Sequence, residues 1–251
     1  MNLRRQPPSE PPLVLGHRGA SALETENTLA AFRRARADGA DGVELDARLA
    51  ATGEVVVFHD DDLRRLAGQP DRVADLPLAA LRRARLPRGE TIPTLDEVLE
   101  ELGPALLVNV ELKVPAFGLG PRVAWSVAGV IARHDAADRV LVSSFHPGAL
   151  AAFRLAAPAV ATGLLFAAAQ ALPLRRACLR RLLGPRALHP ELALVSERRV
   201  RRWHREGRAV LVWTVNDPAD ARRMTALGVD GIITDDPGRA RSSTGRPGSP
   251  R

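Results

Sequence analysis

Length, composition and charge are those of an ordinary globular protein and exclude several classes. The chain has 251 residues, 45% hydrophobic and 26% charged, which suits a domain with a sizeable buried core. Its single cysteine, Cys178, excludes an intramolecular disulfide and a cysteine-based metal cluster. Residues 1–12 hold no apolar run, and residues 13–15 are too short for a signal peptide or membrane span. We therefore expect a cytoplasmic protein without membrane insertion.

The net charge of +7 is concentrated at the two ends of the chain. Residues 239–251 carry four arginines and no acid, and residues 1–12 carry two arginines and one acid. The intervening residues 13–238 are left at about +2, so the domain itself has no strong basic character for nucleic acid. We predict a flexible N-terminal tail over 1–12, one domain over 13–238, a disordered basic tail over 239–251, and no nucleic-acid partner.

Short apolar runs of strand type alternate with longer stretches of helical period. The strand candidates are residues 13–15, 42–47, 55–58, 106–112, 140–144, 161–166, 187–189, 209–215 and 231–234. The main helix candidates are residues 28–37, 94–102, 121–134, 148–156, 196–206 and 218–227. This alternation predicts a parallel sheet with helices outside, and a strand count near eight favours a closed (β/α)₈ barrel.

One strand candidate, residues 55–58, exceeds the eight that a barrel needs. Only residues 49–54 separate it from the preceding strand, which is too short for a helical crossover. We predict a hairpin here, which would bring His59 back beside Asp46.

Two segments lie outside the alternation. Residues 60–93 contain no clear strand, and we predict a small insertion above the barrel mouth with one short helix near residues 78–85. Residues 172–186 carry five arginines among Leu and Ala. This composition fits either a basic amphipathic helix on a membrane surface or a solvated helix face, so weak association with a membrane surface stays open.

Acidic side chains end two of the strand candidates. Glu44 and Asp46 share one face of their strand, as do Glu111 and Lys113, because side chains two apart point the same way. The carboxyl ends of barrel strands carry active sites. Three carboxylates that converge there need a cation between them, and oxygen ligands favour Ca²⁺ or Mg²⁺ over zinc. The sequence therefore predicts a divalent-metal site at Glu44, Asp46 and Glu111.

Histidines and basic residues follow strand candidates of the same kind. His17 and His59 are candidates for a general acid and base near neutral pH. Arg18 offers a bidentate fork for phosphate oxygens, and Gly19 lets the backbone approach a ligand. Lys113 is the single lysine among 36 basic residues, which favours a specific need for a compact ammonium, such as phosphate binding in a cramped site.

Three further residues have both structural and functional interpretations. Asn27 precedes a helix candidate and can cap it, bind substrate, or do both. Trp213 closes an apolar run and can form a wall for substrate or pack in the core. His189 follows a weak strand candidate, and we interpret it as a loop residue that can edge the pocket.

Taken in order, these segments resemble the glycerophosphodiester phosphodiesterase family of the short bacterial type. The resemblance covers about residues 13–237. It rests on HRGA at 17–20, ENTLAAF at 26–32, GADGVELD at 39–46, VVFHD at 56–60, VELK at 110–113, VSSF at 142–145, VWTVN at 212–216 and GVDGIITD at 228–235. The chain departs from the family pattern at residues 61–62 and 66–68, where Pro-Thr and Thr-Thr-Asn-Gly are common, so the loop above the site is altered.

The resemblance implies a TIM barrel of the phospholipase C-like phosphodiesterase type. It implies metal-dependent hydrolysis of glycerophosphodiesters, such as glycerophosphocholine and glycerophosphoethanolamine, to an alcohol and sn-glycerol 3-phosphate. It also allows a neighbouring substrate hydroxyl to attack phosphorus first, giving a cyclic phosphate that water opens. Carried over residue by residue, it implies metal ligands at Glu44, Asp46 and Glu111, an acid/base pair at His17 and His59, and phosphate contacts at Arg18 and Lys113.

Two other functions fit parts of the sequence. A lysophospholipase D or a cyclising phospholipase D-like enzyme would use the same site on lysophospholipids, and residues 172–186 with Trp213 would suit an acyl-bearing substrate. A non-catalytic binding protein would not need paired histidines. We expect the hydrolase with a small-molecule substrate; the sequence leaves the oligomeric state open.

Overall fold

Nine strands form one sheet in the computed structural model, which describes residues 10–114, 120–175 and 177–245. The strands are β1 (Leu13–His17), β2 (Gly42–Leu49), β3 (Val55–Val57), β4 (Leu107–Leu112), β5 (Val140–Ser144), β6 (Ala161–Phe166), β7 (Ala187–Pro190), β8 (Ala209–Val212) and β9 (Gly231–Thr234). Most are nearly continuous apolar runs, as expected for parallel strands buried on both faces.

Eight of the strands close into a parallel barrel. The order runs β1-β9-β8-β7-β6-β5-β4-β2, and a further pairing of β1 with β2 completes the ring. The predicted (β/α)₈ barrel is therefore confirmed. The remaining strand, β3, pairs antiparallel with β2 and starts opposite its end, with Val55 against Leu49. The predicted hairpin is also confirmed.

Helices connect the strands on the outside of the barrel. They are α1 (Leu29–Ala37), α2 (Arg64–Ala67), α3 (Leu78–Leu81), α4 (Leu95–Leu102), α5 (Gly120–Arg133), α6 (Pro147–Ala156), α7 (Leu172–Arg175), α8 (Arg180–Leu183), α9 (Glu197–Arg205), α10 (Pro218–Ala226) and α11 (Pro237–Thr244). Side-chain caps fix several helix starts. Thr94 and Glu97 form a capping box at α4, and Asp217 caps α10 directly before a proline.

The core has an inner and an outer part. Inside the barrel, apolar side chains of β1, β5, β6, β7, β8 and β9 pack together, among them Leu15, Leu141 and Ile233. Outside, the opposite faces of the strands pack against the helices in two larger clusters, one of which includes Phe32 and the other Trp203. This division follows from the alternation of side chains along each strand.

The segment between β3 and α4 is a small helical insertion without a strand among its described residues. It contains α2, α3 and two 3₁₀ turns at Val73–Asp75 and Pro87–Gly89. A separate apolar cluster that includes Phe58, Leu63 and Ile92 packs this insertion against the β2–β3 hairpin. The insertion therefore has a small core of its own beside the barrel.

The structure corrects the predicted disorder of the basic tail over residues 239–244. The final helix, α11, extends from Pro237 through Thr244 and is capped by Asp236, whose side chain accepts from Arg239 N at 3.0 Å. Nη1 of Arg241, a residue only 8% exposed, donates to Gly39 O at 2.6 Å. Side-chain capping and burial of an arginine hold this basic segment in place. Residues 246–251 of the predicted tail, and residues 1–9 of the N-terminal one, lie outside the described residues.

The basic stretch 172–186 forms two short helices, α7 and α8, separated by a turn. Arg180 is buried and pairs with Glu206 at 2.7 Å, whereas Arg181 is exposed. Arg176 lies outside the described residues. A single continuous amphipathic helix is therefore absent from the described part of this stretch. None of the helices in the described part of the chain has the length and apolar composition of a membrane span.

Candidate active site

A cavity of about 210 Å³ opens at the carboxyl ends of the barrel strands. Its polar lining comes from four strands, β1 to β4, or the residues just after them, and its apolar lining comes from the opposite side of the barrel. The lining residues are His17, Arg18, Glu44, His59, Asn109, Glu111, Lys113, Phe145, Leu165, Trp213 and Ile233. Most of the candidate site residues therefore meet in one place.

Three carboxylates cluster at this cavity because of the strand register. Asp46 on β2 lies beside Glu111 on β4, and Glu44 lies one layer deeper on β2. All three are buried, and one carboxylate oxygen of each lies within 4.8 Å of the others. Nζ of Lys113 bridges two of them, at 2.7 Å from Glu111 Oε1 and 3.1 Å from Asp46 Oδ1.

The pKa values of these buried carboxylates are shifted in opposite directions. Burial, with the charge of Asp46 beside it, raises the pKa of Glu44, and burial also raises the pKa of Glu111 against the opposing effect of Lys113. For Asp46, burial is outweighed by the charges of Lys113 and Arg18, so its pKa is lowered. Two carboxyl groups thus resist ionisation next to a third that is ionised. A divalent cation among them would relieve this, and an all-oxygen donor set fits a hard cation.

Asn27 fixes the position of Asp46. Its Nδ2 donates to Asp46 Oδ2 at 2.8 Å, and its Oδ1 accepts from Asp46 N at 3.2 Å. The neighbouring Thr28 caps α1 by accepting from Ala31 N. Asn27 is 1% exposed and lies behind Asp46, not in the cavity wall. This placement differs from the expected substrate contact, because both ends of the amide are already used by Asp46.

His17 forms a short hydrogen bond with a residue from the other end of the chain. Its Nδ1 donates to Oδ1 of Asp235 at 2.6 Å, and Glu44 Oε2 lies 4.0 Å from its Nε2. Asp235 is held in turn by Asn216 Nδ2 at 2.6 Å and Ser21 Oγ at 3.1 Å. Burial opposes protonation of His17, but Asp235 and Glu44 outweigh it, and the pKa of His17 is raised.

His59 also lines the cavity and follows the β2–β3 hairpin, separated from the end of β3 by Phe58. Its Nδ1 donates to Asp60 Oδ1 at 2.7 Å, and its carbonyl oxygen accepts from Arg48 Nε at 2.9 Å. Burial is the largest influence on the imidazole and lowers the pKa of His59. The two histidines therefore have pKa values shifted in opposite directions, as in sites that divide acid and base roles.

Arg18 is tied to the acidic cluster through its backbone and its side chain. Its N donates to Glu44 Oε2 at 3.0 Å, its Nε lies 3.2 Å from Asp46 Oδ2, and its Nη1 donates to Glu26 Oε1 at 2.8 Å. Gly19 follows with φ +86°, and a Cβ there would lie 2.6 Å from the carbonyl carbon of Ala31. Gly19 therefore allows close packing against α1, in place of the expected approach to a ligand.

The side of the cavity away from the carboxylates is apolar. The rings of Trp213 and Phe145 meet edge to face with centroids 5.4 Å apart, and Leu165 and Ile233 extend the wall. Trp213 Nε1 donates to the carbonyl oxygen of His189 at 2.8 Å. The indole is thus anchored to the barrel and also lines the cavity, and the contact of Trp213 with substrate stays a prediction.

Two polar residues of the site were not assigned a role from the sequence. Asp235 directly follows β9, the same strand-end position as the other site residues, and that signal identifies it. Asn109 lies opposite Glu44 on β4 and lines the cavity floor. Neither of its amide atoms has a hydrogen-bond partner among the described residues. His189, expected in a loop, is fully buried in β7 instead.

The sequence that builds this site matches a known protein family. The sequence pattern of the glycerophosphoryl diester phosphodiesterase family fits residues 17–239. The chain belongs to this family. Family members are phosphoric diester hydrolases, so the enzyme class and the family resemblance expected from the sequence are confirmed.

Individual relatives agree over most of the chain. A glycerophosphodiester phosphodiesterase of Caldanaerobacter subterraneus subsp. tengcongensis is 37% identical, covering 90% of this chain and 94% of its own. A phosphodiesterase from Oleispira antarctica, solved in complex with the product sn-glycerol-3-phosphate, superposes with a TM-score of 0.85 at 30% identity, over 93% and 96% of the two chains. A glycerophosphodiester phosphodiesterase from Thermotoga maritima superposes with a TM-score of 0.76 at 31% identity. The superposition covers 90% of this chain and 96% of the other.

Proposed function

We propose that the protein hydrolyses glycerophosphodiesters, such as glycerophosphocholine and glycerophosphoethanolamine, to an alcohol and sn-glycerol 3-phosphate in a reaction that depends on Ca²⁺ or Mg²⁺. The observation that carries the proposal is the single cavity that joins a buried carboxylate triad, two histidines and two cationic side chains. The product bound to the Oleispira antarctica relative supports the same choice of substrate. The names of the relatives do not favour the alternative of lysophospholipids.

In this proposal, Glu44, Asp46 and Glu111 hold the cation. Bound there, it would neutralise charge on the phosphoryl oxygens, which is the main source of stabilisation in phosphoryl transfer. Lys113 already contacts two of these carboxylates and carries a compact charge that can also meet a phosphate oxygen. The phosphate would therefore lie over the rim formed by β2 and β4.

Arg18 orients the phosphate from the neighbouring strand end. Its Nε and Nη1 face Asp46 and Glu26, which directs the planar guanidinium across the acidic cluster. The apolar wall with Trp213 then contacts the carbon skeleton of the substrate and excludes water from that side.

His17 and His59 carry the protons. As an oxygen nucleophile bonds to phosphorus, one histidine takes its proton; as the bond from phosphorus to the alcohol oxygen breaks, the other donates a proton to that oxygen. The nucleophile is either water or the neighbouring hydroxyl of the glycerol, and in the second case water opens the cyclic phosphate afterwards. The opposite pKa shifts of the two imidazoles suit this division.

A direct assay tests the proposal. The purified protein is treated with a chelator, and release of sn-glycerol 3-phosphate from glycerophosphocholine is measured with Ca²⁺ or Mg²⁺ restored. We expect cation-dependent release, and His17→Ala and His59→Ala should each lower the rate by about 10²-fold or more. Absence of release with either cation, or full activity of either variant, would contradict the proposal.

The cation site has a test of its own. Glu44→Gln removes one ligand charge while keeping the shape of the side chain, so we expect weaker Mg²⁺ or Ca²⁺ binding by calorimetry together with lower activity. Glu101→Gln, at an exposed ion pair with Arg33, is the matched control and should bind the cation normally. Unchanged cation affinity in Glu44→Gln would remove Glu44 from the ligand set. The cytoplasmic location and the flexible N-terminal tail over 1–12 stay predictions of the sequence.

A further inference from the structure

A chain of ion pairs connects the two sides of the candidate active site through the insertion. It begins at His59, whose Nδ1 donates to Asp60 Oδ1 at 2.7 Å. Asp60 Oδ2 accepts from Arg65 Nε at 2.6 Å. Arg65 then reaches Glu26, with Nη1 at 2.8 Å from Oε2 and Nη2 at 2.6 Å from Oε1. The chain ends at Arg18, whose Nη1 shares the same Glu26 Oε1 at 2.8 Å.

Arg65 is the central member of this chain. It belongs to α2, the first helix of the insertion, and all three nitrogens of its guanidinium are used. Its bond to Asp60 connects it with His59, and its two bonds to Glu26 connect it with Arg18. A planar guanidinium can bind two carboxylates in fixed directions, which the ammonium of a lysine cannot do.

We propose that Arg65 is a positioning residue that holds His59 and Arg18 in register across the cavity. The inference rests on the proposed function, since it assigns both partners a part in phosphodiester hydrolysis. In this arrangement the insertion aligns two reacting elements of the barrel through one side chain.

The contacts that stay when Arg65 is removed define the expected effect. His59 keeps Asp60 and the bond from Arg48 to its carbonyl oxygen, and Arg18 keeps Asp46 and Glu26, but Asp60 and Glu26 lose the guanidinium that joins them. Both side chains therefore remain in the site but lose the restraint that fixes their mutual position. Misplacement of reacting groups by about 1 Å can lower a rate by about 10²-fold, although the fold is intact.

The neighbouring arginine provides a matched control. Arg64 lies on the same helix and pairs with Asp62 at 3.2 Å, with a side chain that is 70% exposed. Arg65→Ala and Arg64→Ala thus remove the same group from adjacent positions, and only the first touches the chain of ion pairs. We expect kcat/KM of Arg65→Ala to fall by about 10-fold or more, with an unchanged melting temperature, and Arg64→Ala to stay within about twofold of the original protein.

Two readouts separate positioning from a general structural effect. The side chain of Arg65 is 47% exposed, so added guanidinium can enter the space left by Arg65→Ala. Millimolar guanidinium should restore part of kcat in Arg65→Ala and leave Arg64→Ala unchanged. In a double-mutant cycle, Glu26→Gln should lower activity less in the Arg65→Ala background than in the original protein, and the effect that remains reports the direct bond from Arg18 to Glu26.

Product binding tests the inference without turnover. The affinity for sn-glycerol 3-phosphate, measured by calorimetry with Mg²⁺ present, should fall several-fold in Arg65→Ala and stay constant in Arg64→Ala. If the original protein binds the product but fails to hydrolyse glycerophosphocholine, the proposed reaction is wrong while this measurement still tests Arg65. If Arg65→Ala keeps both the activity and the product affinity of the original protein, or responds to guanidinium no differently from Arg64→Ala, the positioning role is refuted.

Discussion

Replacing Asp235 by asparagine tests the most specific contact of the site. The substitution keeps the shape of the side chain but removes the charge that accepts from His17 Nδ1 at 2.6 Å. Asn216 and Ser21 also contact Asp235, so the new amide stays near its present position. The change therefore isolates the electrostatic support of the imidazole from the packing around it.

The expected loss follows from the strength of the contact. A hydrogen bond to a charged group contributes about 1.5–3 kcal/mol. If that support is fully used when His17 carries a proton during the reaction, kcat/KM falls by about 10- to 150-fold, since each 1.4 kcal/mol is a factor of ten. Burial alone would lower the pKa of His17, and the bond from Asp235 is the main reason why it is raised. Asp235→Asn should therefore move the limb of the pH–rate profile that belongs to His17 toward lower pH.

The assay is release of sn-glycerol 3-phosphate over a pH series, with Asp220→Asn as the control. Asp220 is an acid of α10 whose ion pair with Arg223 is exposed, so the same substitution there should leave the profile unchanged. A kcat/KM within about twofold of the original protein for Asp235→Asn would refute the reasoning, as would a shift of the His17 limb toward higher pH.

Three further predictions concern the barrel and its surroundings. A Cβ at Gly163 would lie 2.6 Å from His189 Nε2, so Gly163→Ala should cost about 1–3 kcal/mol in urea denaturation; unchanged stability would contradict this packing. Burial lowers the pKa of His189 to about 3, so its Cε1–H resonance should not move between pH 5 and 8. Hydrogen bonding from Arg180 lowers the pKa of Glu206 from 4.5 to about 2. The ionised carboxylate therefore stabilises the fold fully above pH 4.5, and this stabilisation is lost as the pH falls through 2. Glu206→Gln should thus destabilise by about 1–2 kcal/mol at pH 7, and an equal loss at pH 3 would be inconsistent.

The acidic cluster could be predicted from the sequence because its geometry follows from simple rules. Period-two alternation places Glu44 with Asp46 on one face, and closure of a parallel barrel brings neighbouring strand ends together. The one quantity missing from the pattern is the strand register, which sets Asp46 beside Glu111 and leaves Glu44 a layer below. The same rules located His17 at its strand end.

Residues that depend on distant partners could not be predicted in the same way. Asn27 has the local signature of a cap, yet its amide is used by Asp46 on β2. Gly19 is next to a candidate phosphate contact, yet its φ and the nearby Ala31 explain why it is a glycine. Arg241 lies in a basic segment typical of a tail, yet its side chain is buried against Gly39. The composition of one segment does not predict these contacts, because each contact needs a partner from a second segment.

The contacts of His17 form only when the barrel is closed. The strand β1 that carries it pairs with β2 on one side and β9 on the other, and these two strands lead to Glu44 and Asp235 respectively. The imidazole contacts both, at 4.0 Å and 2.6 Å, although Asp235 lies 218 residues away in the sequence. An open sheet that lost the pairing of β1 with β9 would keep the acidic cluster of β2 and β4 but would separate His17 from Asp235. The carboxylate cluster thus depends on one strand pair, whereas the environment of His17 requires the complete ring.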